Sequence, residues 1–459
     1  MQYEDFIASK FDAAQTSGFV CKPENRHMFG FQRAIVEWAL SIGRGAIFAD
    51  TGLGKTLMQL VWADEVCKHT GGRVLIMAPL AVAHQTAAEA VKFDVAGVGV
   101  HGEGNRIDII NYESMHKIDC SVYSGVVLDE SSILKNAQGR MRNRIIDTFK
   151  ATPYKLACTA TPAPNDYTEL GNHSEFLGVM PEAIMRARWF INDMSVTVNP
   201  WRLKKHAIKD FWRWVSTWSR CVGMPSDVGD YDDSAYVLPE LHTVNHVIAV
   251  DITKGAQNGM LFRVPDISAT GIHNEKRRTL ADRVAELRRI VDAIGDDHII
   301  IWCETNYEQD AVMAEIPECI DVRGNMKPEE KARKLIEFTD RGGIIVTKPS
   351  IAGMGLNWQH CCQMVFVGGS YSYERFYQAV RRSWRFGQTR EVHAHTIMAS
   401  TETGIWAAIG RKSDNHDAMK SEMYDASRKA ARAYTSRTDY HPIHTASIPA
   451  WLHTSTEAQ

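Results

Sequence analysis

The chain of 459 residues is longer than one compact domain, and at roughly 100–200 residues per domain it predicts two or three. Hydrophobic residues make up 44% and charged residues 23%, a globular balance that excludes a disordered or fibrous chain. Against 55 Asp and Glu stand 52 Lys and Arg, a net charge of −3; this excludes a uniformly basic nucleic-acid binder but leaves room for a basic cleft, because binding follows local charge.

Along the chain, the start MQYEDFIASKF lacks a basic segment followed by an apolar one, so no secretory signal is expected. Two stretches then alternate short apolar strands with helical patterns, the grammar of parallel α/β sheets. The first predicts strands at GAIFAD (45–50), VLIMAP (74–79), IDIINY (107–112), GVVLDE (125–130) and KLACTATP (155–162). The longest apolar run, near 74–83, is about half of the ~20 residues that span a bilayer, so no membrane association is expected. From roughly 190 to 275 the pattern changes, with Trp201, Trp212, Trp214 and Trp218 ahead of the acidic stretch SDVGDYDDS (226–234). Phe211, Trp214, Val215 and Trp218 fall at i, i+3, i+4 and i+7, which predicts a helix packed on a core. Base stacking, with Arg202, Lys204, Lys205 and Lys209 on nearby phosphates, is the alternative use of that stripe. Leu280, Val284, Leu287 and Val291 predict the helix that introduces the second stretch. Its strands are expected at HIIIWCET (298–305), CIDVRG (319–324), GIIVTKPS (343–350), MVFVGG (364–369) and VHAHTIMA (392–399). The tail after about 436 is polar.

Two motifs carry chemistry. Residues 49–56, ADTGLGKT, follow a strand and precede a helical run, matching the P-loop pattern except for Ala49 in the first position. Gly52 and Gly54 let backbone N–H groups converge on phosphate oxygens, Lys55 supplies a charge for the β- and γ-phosphates, and Thr56 offers magnesium a hydroxyl. The strand GVVLDE ends in two acids at the edge where such sheets bind ligands. Asp129 is expected to hold magnesium, and Glu130 to orient or deprotonate the attacking water. Together the motifs point to ATP hydrolysis with ATP and Mg2+ bound.

Other constellations are weak. Nine cysteines without a CxxC pair predict a reduced protein with no disulfide framework or zinc site. His393 and His395 alternate on one strand, and His360 precedes Cys361 and Cys362; packing is the expectation for both groups. Arg428, Lys429 and Arg432 are expected on a C-terminal helix, as a solvated face, a brace between lobes or a DNA contact.

In this order the motifs resemble those of the helicase-like superfamily two ATPases, and within them the Swi/Snf-type double-stranded DNA translocases. FGFQRAIVEWAL (29–40) resembles the segment in which a Gln, here Gln32, reads adenine. ADTGLGKT is similar to motif I, APLAVAHQTAAEAVKF (78–93) to motif Ia, and INYES (110–114) to the segment that follows it. LDESSILKN (128–136) resembles the DEAH box and TATPAPNDYTEL (159–170) motif III. In the second half, RGNMKPEEKARKLIEF (323–338) resembles the segment before motif V, IAGMGLNWQ (351–359) motif V, and QAVRRSWRFGQTREVHAHTI (378–397) motif VI. Three departures stand out: Ser132 for the family's His, Ala160 for a Gly, and Val380–Arg381 for an acidic pair.

The resemblance implies an α/β chain with two RecA-like lobes built on parallel sheets, separated by a mainly helical, Trp-rich insertion. The expected division is 1–190 for the first lobe, 191–275 for the insertion, 276–436 for the second lobe and 437–459 for the tail. Arg382 and Arg385 are implied as arginine fingers, with Gly355 and Gln378 completing the nucleotide pocket. Pro79, Asn111, Thr161, Asn165, Gly353 and Asn357 are implied as nucleic-acid contacts. The implied function is an ATP-dependent motor on double-stranded DNA without sequence preference, in the cytoplasm of a prokaryotic or infected host cell. A strand-separating DNA or RNA helicase, and an ATP-switched nucleic-acid-binding subunit of a larger complex, are the alternatives.

Overall fold

The computed structural model describes residues 17–79, 82–100, 105–136, 139–164, 166–193, 201–250, 269–352, 357–368, 373–402, 410 and 418–432. It contains two parallel sheets, each flanked by helices. Strands of the first half are β1 (Arg44–Ala49), β2 (Arg73–Ala78), β3 (Val98–Val100), β4 (Ile107–Asn111), β5 (Tyr123–Asp129) and β6 (Tyr154–Cys158). Then follow β7 (Phe190–Asn192), β8 (Trp201–Leu203), β9 (Ser219–Val222) and β10 (Leu241–Ile248). The last are β11 (Ile299–Trp302), β12 (Ile320–Asp321), β13 (Ile344–Thr347), β14 (Gln363–Phe366) and β15 (Val392–Ala399).

The first sheet has the order β3-β4-β2-β5-β6-β1-β9 and the second β10-β15-β14-β11-β13-β12. Every pairing in both is parallel. The central strands β1, β2, β5 and β6 are buried almost throughout, as strands covered by helices on both faces must be, and so they read as continuous apolar runs rather than alternating ones. The adjacent carboxyl ends of β5, β6 and β1 are the edge at which such sheets bind ligands. All ten strands expected from sequence form. The helix heralded by Leu280, Val284, Leu287 and Val291 is Leu280–Ile294.

Segments near both expected boundaries between the lobes pack against a sheet. The Trp-rich segment is helical at Ile208–Trp218, yet it does not stand apart as a unit of its own. Phe211, Trp212, Trp214, Val215 and Trp218 are buried in a core of the first lobe together with Phe48, Leu128 and Phe176. Directly after this helix, β9 pairs with β1 from Ala46–Ser219 to Ala49–Val222, so it extends the first sheet. The physical reason is the width of the helix's apolar face, which needs a sheet to cover it. Buried indoles are unavailable for base stacking, so the packing reading of the stripe holds. β10, also expected within the insertion, is instead an edge strand of the second sheet.

The C-terminal end departs as well. A helix over 418–432 follows the second lobe in sequence but returns to the first. Met419 and Met423 are buried in the first lobe's core, and the Trp212 indole donates to Glu422 at 2.7 Å. The Cys221 N–H donates to the Ser427 hydroxyl at 3.0 Å, and Arg428 pairs with Asp227 at 2.7 Å. Arg428 therefore fastens this helix to the first lobe, rather than bridging the lobes or standing on a solvated face. The tail 437–459 lies outside the described residues. Among those residues, no helix is long and apolar enough to cross a membrane.

Candidate nucleotide site between the lobes

After β1 the chain turns through residues 50–54 into the helix Lys55–Thr70, with Gly52 at φ 92° and Gly54 at φ 80°. A Cβ on Gly54 would lie 2.3 Å from the Gln32 amide, and one on Gly52 would meet Phe386 of the second lobe at 2.8 Å. Glycine is thus required here both by backbone conformation and by close approach. Gln32 is buried: its Oε1 accepts from the Phe29 N–H at 3.0 Å, and its Nε2 donates to the Leu53 carbonyl at 2.9 Å. In this state Gln32 fastens the P-loop to the preceding helix. Lys55 donates to the carbonyls of Ala49 at 2.8 Å and Asp50 at 3.1 Å. Burial pulls its pKa down, while Glu130, Asp50 and Asp129 favour the charged form.

Asp129 ends β5 beside it, accepting from Gln59 Nε2 at 2.8 Å. Burial raises its pKa to about 6 against that hydrogen bond, and the neighbouring Glu130 adds to the rise. Gln59 stands one helical turn beyond Lys55, and the sequence reading missed it. Glu130 has φ 60° and ψ 57°, a left-handed conformation uncommon for a residue with a Cβ. Its carboxylate accepts from the hydroxyls of Thr159 at 2.6 Å and Ser132 at 2.8 Å, while Thr159 Oγ1 accepts from the Thr161 N–H at 3.0 Å. The segments at the ends of β5 and β6 are therefore linked through Glu130 itself, and Ser132, where the motif it resembles has His, is part of the link. A histidine enters from elsewhere: His173, buried on the helix Leu170–Leu177, contacts the Ser131 hydroxyl at 3.1 Å. Burial lowers its pKa to about 4, so it is a neutral hydrogen-bonding group.

The second lobe contributes the helix Tyr373–Val380 and the turns after it. Arg382 and Arg385 enter the space above the P-loop. Burial lowers the Arg382 pKa to about 9, with repulsion from Arg385 adding and attraction from Glu130 opposing. Burial and Arg381 act in the same direction on Arg385. A cleft of about 450 Å³ brings the two sets together. The first lobe lines it with Gln32, Gly52, Gly54, Lys55, Thr56, Asp129 and Glu130, and the second with Gln378, Arg382 and Arg385. Pro79, Thr161 and Asn357 line the same cleft.

Three expected site residues, Asn165, Gly353 and Gly355, lie outside the described residues. Asn111 is not brought to the cleft; its side chain accepts from the Ser114 N–H at 2.7 Å and caps a 3-10 turn after β4. As expected, Cys361 and Cys362 are packing residues, both buried, and all nine cysteines are free thiols.

Sequence reading also missed a polar contact between the lobes at Asp50. Its carboxylate accepts from the Tyr377 hydroxyl at 2.6 Å and pairs with Arg381 at 3.2 Å and with Lys420 of the C-terminal helix at 3.6 Å. Lys420 also donates to the Tyr377 oxygen at 2.8 Å, and Arg381 to the Thr51 carbonyl at 3.0 Å. Lys420 and Arg381 hold the Asp50 carboxyl below the usual carboxylate range, against its burial. Arg381 is the residue that departs from the acidic pattern in sequence, and Asp50 supplies the reason. A second ion pair, Lys135 with Glu374, also joins the lobes.

Residues 282–387 match the helicase conserved C-terminal domain family. That match falls within the second lobe, the one that carries the second parallel sheet. Among solved structures, the chain is similar to the Sulfolobus solfataricus SWI2/SNF2 ATPase core in complex with dsDNA, with 16% identity, coverage of 88% of this chain and 96% of that chain, and a TM-score of 0.43.

Proposed function

We infer that the chain is a nucleic-acid-dependent ATPase that uses hydrolysis to move along double-stranded DNA. The observation that carries this reading is the shared cleft, in which Arg382 and Arg385 of the second lobe face Lys55, Thr56, Asp129 and Glu130 of the first. A site divided in this way is complete only when the lobes are together, so nucleotide state and lobe closure are coupled.

Gly52, Gly54 and Lys55 cradle the phosphates, and Glu130, steadied by Thr159 and Ser132, takes the proton of the attacking water. Thr56 and Asp129 are hard oxygen donors beside the cleft, the type magnesium takes, and fit as its ligands. When bound, that ion neutralises charge on the β- and γ-phosphates. Arg382 and Arg385 stabilise charge developing on the γ-phosphate, a contribution on the order of 10³–10⁵ in rate for such fingers. Thr161 is buried and the Asn111 side chain is occupied by its cap. Backbone groups of those segments, rather than these side chains, would meet the polymer's phosphates, in contacts that position without reading sequence.

Duplex DNA is the polymer implied by the motif resemblance, and the test compares polymers. ATPase rates are measured without nucleic acid and with single strands, duplex DNA and RNA, followed by triplex displacement and duplex unwinding. Stimulation by duplex and displacement of a third strand without unwinding are expected. Robust unwinding would replace this reading with a strand-separating helicase. Absence of turnover with any polymer would leave an ATP-switched binding subunit.

A further inference from the structure

A second polar cluster lies on the second sheet, among residues the nucleotide site does not use. β10 and β15 run parallel in register from Leu241–Val392 to Ile248–Ala399, with His242 directly beside His393. Because strand side chains alternate, His246 shares a face with His242, and His395 with His393. The His242 and His393 rings stack with centroids 4.8 Å apart and an interplanar angle of 20°. Glu391, the residue before β15, reaches His242 Nε2 with its Oε2 at 3.1 Å. One nitrogen or oxygen from each of His242, Glu391 and His393 lies within 4.8 Å of the others.

We propose that His242, Glu391 and His393 form a binding site for a divalent transition-metal ion of the zinc type, with water completing the coordination. Two imidazoles and a carboxylate are a donor set that zinc accepts, at bond lengths of about 2.0–2.2 Å. In a tetrahedral site those lengths bring ligand atoms to about 3.4 Å from one another, so modest side-chain rotation closes the set. His242 and Glu391 have side chains exposed by 33% and 63%, which leaves them free to make that rotation. The strand ladder beneath keeps the backbone fixed.

A second rung supports the first from one side. Glu286 contacts His246 Nδ1 at 2.8 Å, and His246 Nε2 meets His395 Nδ1 at 3.0 Å. The His395 ring, tethered in this way, stacks on His393 with centroids 6.4 Å apart. The bound ion would staple β10, which arrives from the first lobe, to β15, which precedes the return of the chain to it.

The competing arrangement is a plain ion pair of protonated His242 with Glu391, and with Glu240 at 3.9 Å. Equilibrium dialysis of the full, tag-free chain against Zn2+, without nucleotide, separates the two. About one zinc per chain is expected, with affinity reduced about tenfold or more by either His242→Gln or His393→Gln and the site lost in the double variant. Substituted Co2+ should give the spectrum of nitrogen and oxygen donors without a thiolate charge-transfer band. Melting in a chelator, unchanged by these half-exposed substitutions, establishes that the variants are folded. Equal zinc content in the wild type and the double variant, or a thiolate band with cobalt, would overturn the assignment.

Discussion

The pair of Asp50 with Arg381 joins the lobes directly at the P-loop, and its strength can be measured. The perturbation is a double-mutant cycle of Asp50→Asn and Arg381→Gln, which removes one charge at a time and leaves a polar side chain at each position. Arg381 is 5% exposed and the Asp50 side chain 19%. Breaking one partner of a fully buried pair costs about 3–5 kcal/mol. Asp50 borders an open cleft and Lys420 still faces it, so the coupling between the two positions should be lower, about 1–3 kcal/mol. Because the partners sit on different lobes, this energy belongs to closure, and it corresponds to a change of about 5- to 150-fold in the closed-to-open ratio. Energy transfer between dyes on the two lobes, without nucleotide, reports that ratio, and the KM for ATP should rise in parallel. Additive effects, with a coupling below about 0.5 kcal/mol, would refute the idea that this pair holds the lobes together.

Four further outcomes are expected. Glu130→Gln should lower stimulated kcat by about 10²–10⁴-fold with ATP binding retained, measured with a fluorescent nucleotide; loss of binding instead would make Glu130 a binding group. Arg385→Ala should lower stimulated kcat by about 10³-fold or more, and turnover near wild type would leave the finger role to Arg382. His173 has a folded pKa of about 4 against 6.5 unfolded, so its contribution is complete above about pH 6.5 and is lost as pH falls through that value, by ~2 kcal/mol at about pH 5. Urea unfolding of His173→Gln should lack that part of the pH slope, and an unchanged slope would assign it to other groups. Trp218, fully buried in the first lobe, should cost ~3–5 kcal/mol of that lobe's stability when changed to Ala, with an effect on duplex affinity only through folding; a selective loss of affinity would revive base stacking.

What the sequence made legible depended on how local its signal was. Ten strands were readable because most are short apolar runs bounded by turns, and the central ones are buried on both faces. The glycine turn before the helix Lys55–Thr70 and the acids ending β5 were legible because each is a run of adjacent residues in fixed order. β9 is four residues long, SRCV, and follows a helix without a break. Nothing in so short a run distinguishes a strand from a helix end. β10 is an exposed edge strand that mixes His, Thr, Asn and Val, so it lacks the apolar run by which its neighbours were found. The Trp stripe was read correctly as a buried helical face, but which surface buried it depended on the β9–β1 pairing, a contact distant in sequence.

The cleft illustrates the same limit more sharply. Motif order was enough to nominate Lys55, Asp129, Glu130, Arg382 and Arg385, since each stands in a recognisable string. Arg381 stood in such a string too, but as an anomaly, a cation where the pattern has an acid. Its explanation lies more than 300 residues away, in Asp50, together with Tyr377 and Lys420 from two other helices. A charge has meaning only beside its partner, and a departure that is unreadable locally becomes an ordinary pairing once the fold brings the partner near. The same reasoning applies to His242, which gives no signal in its own stretch and gains one only when β10 sets it next to His393. Residues selected for contact across the fold, rather than for a role within a motif, are therefore the ones that sequence patterns conceal.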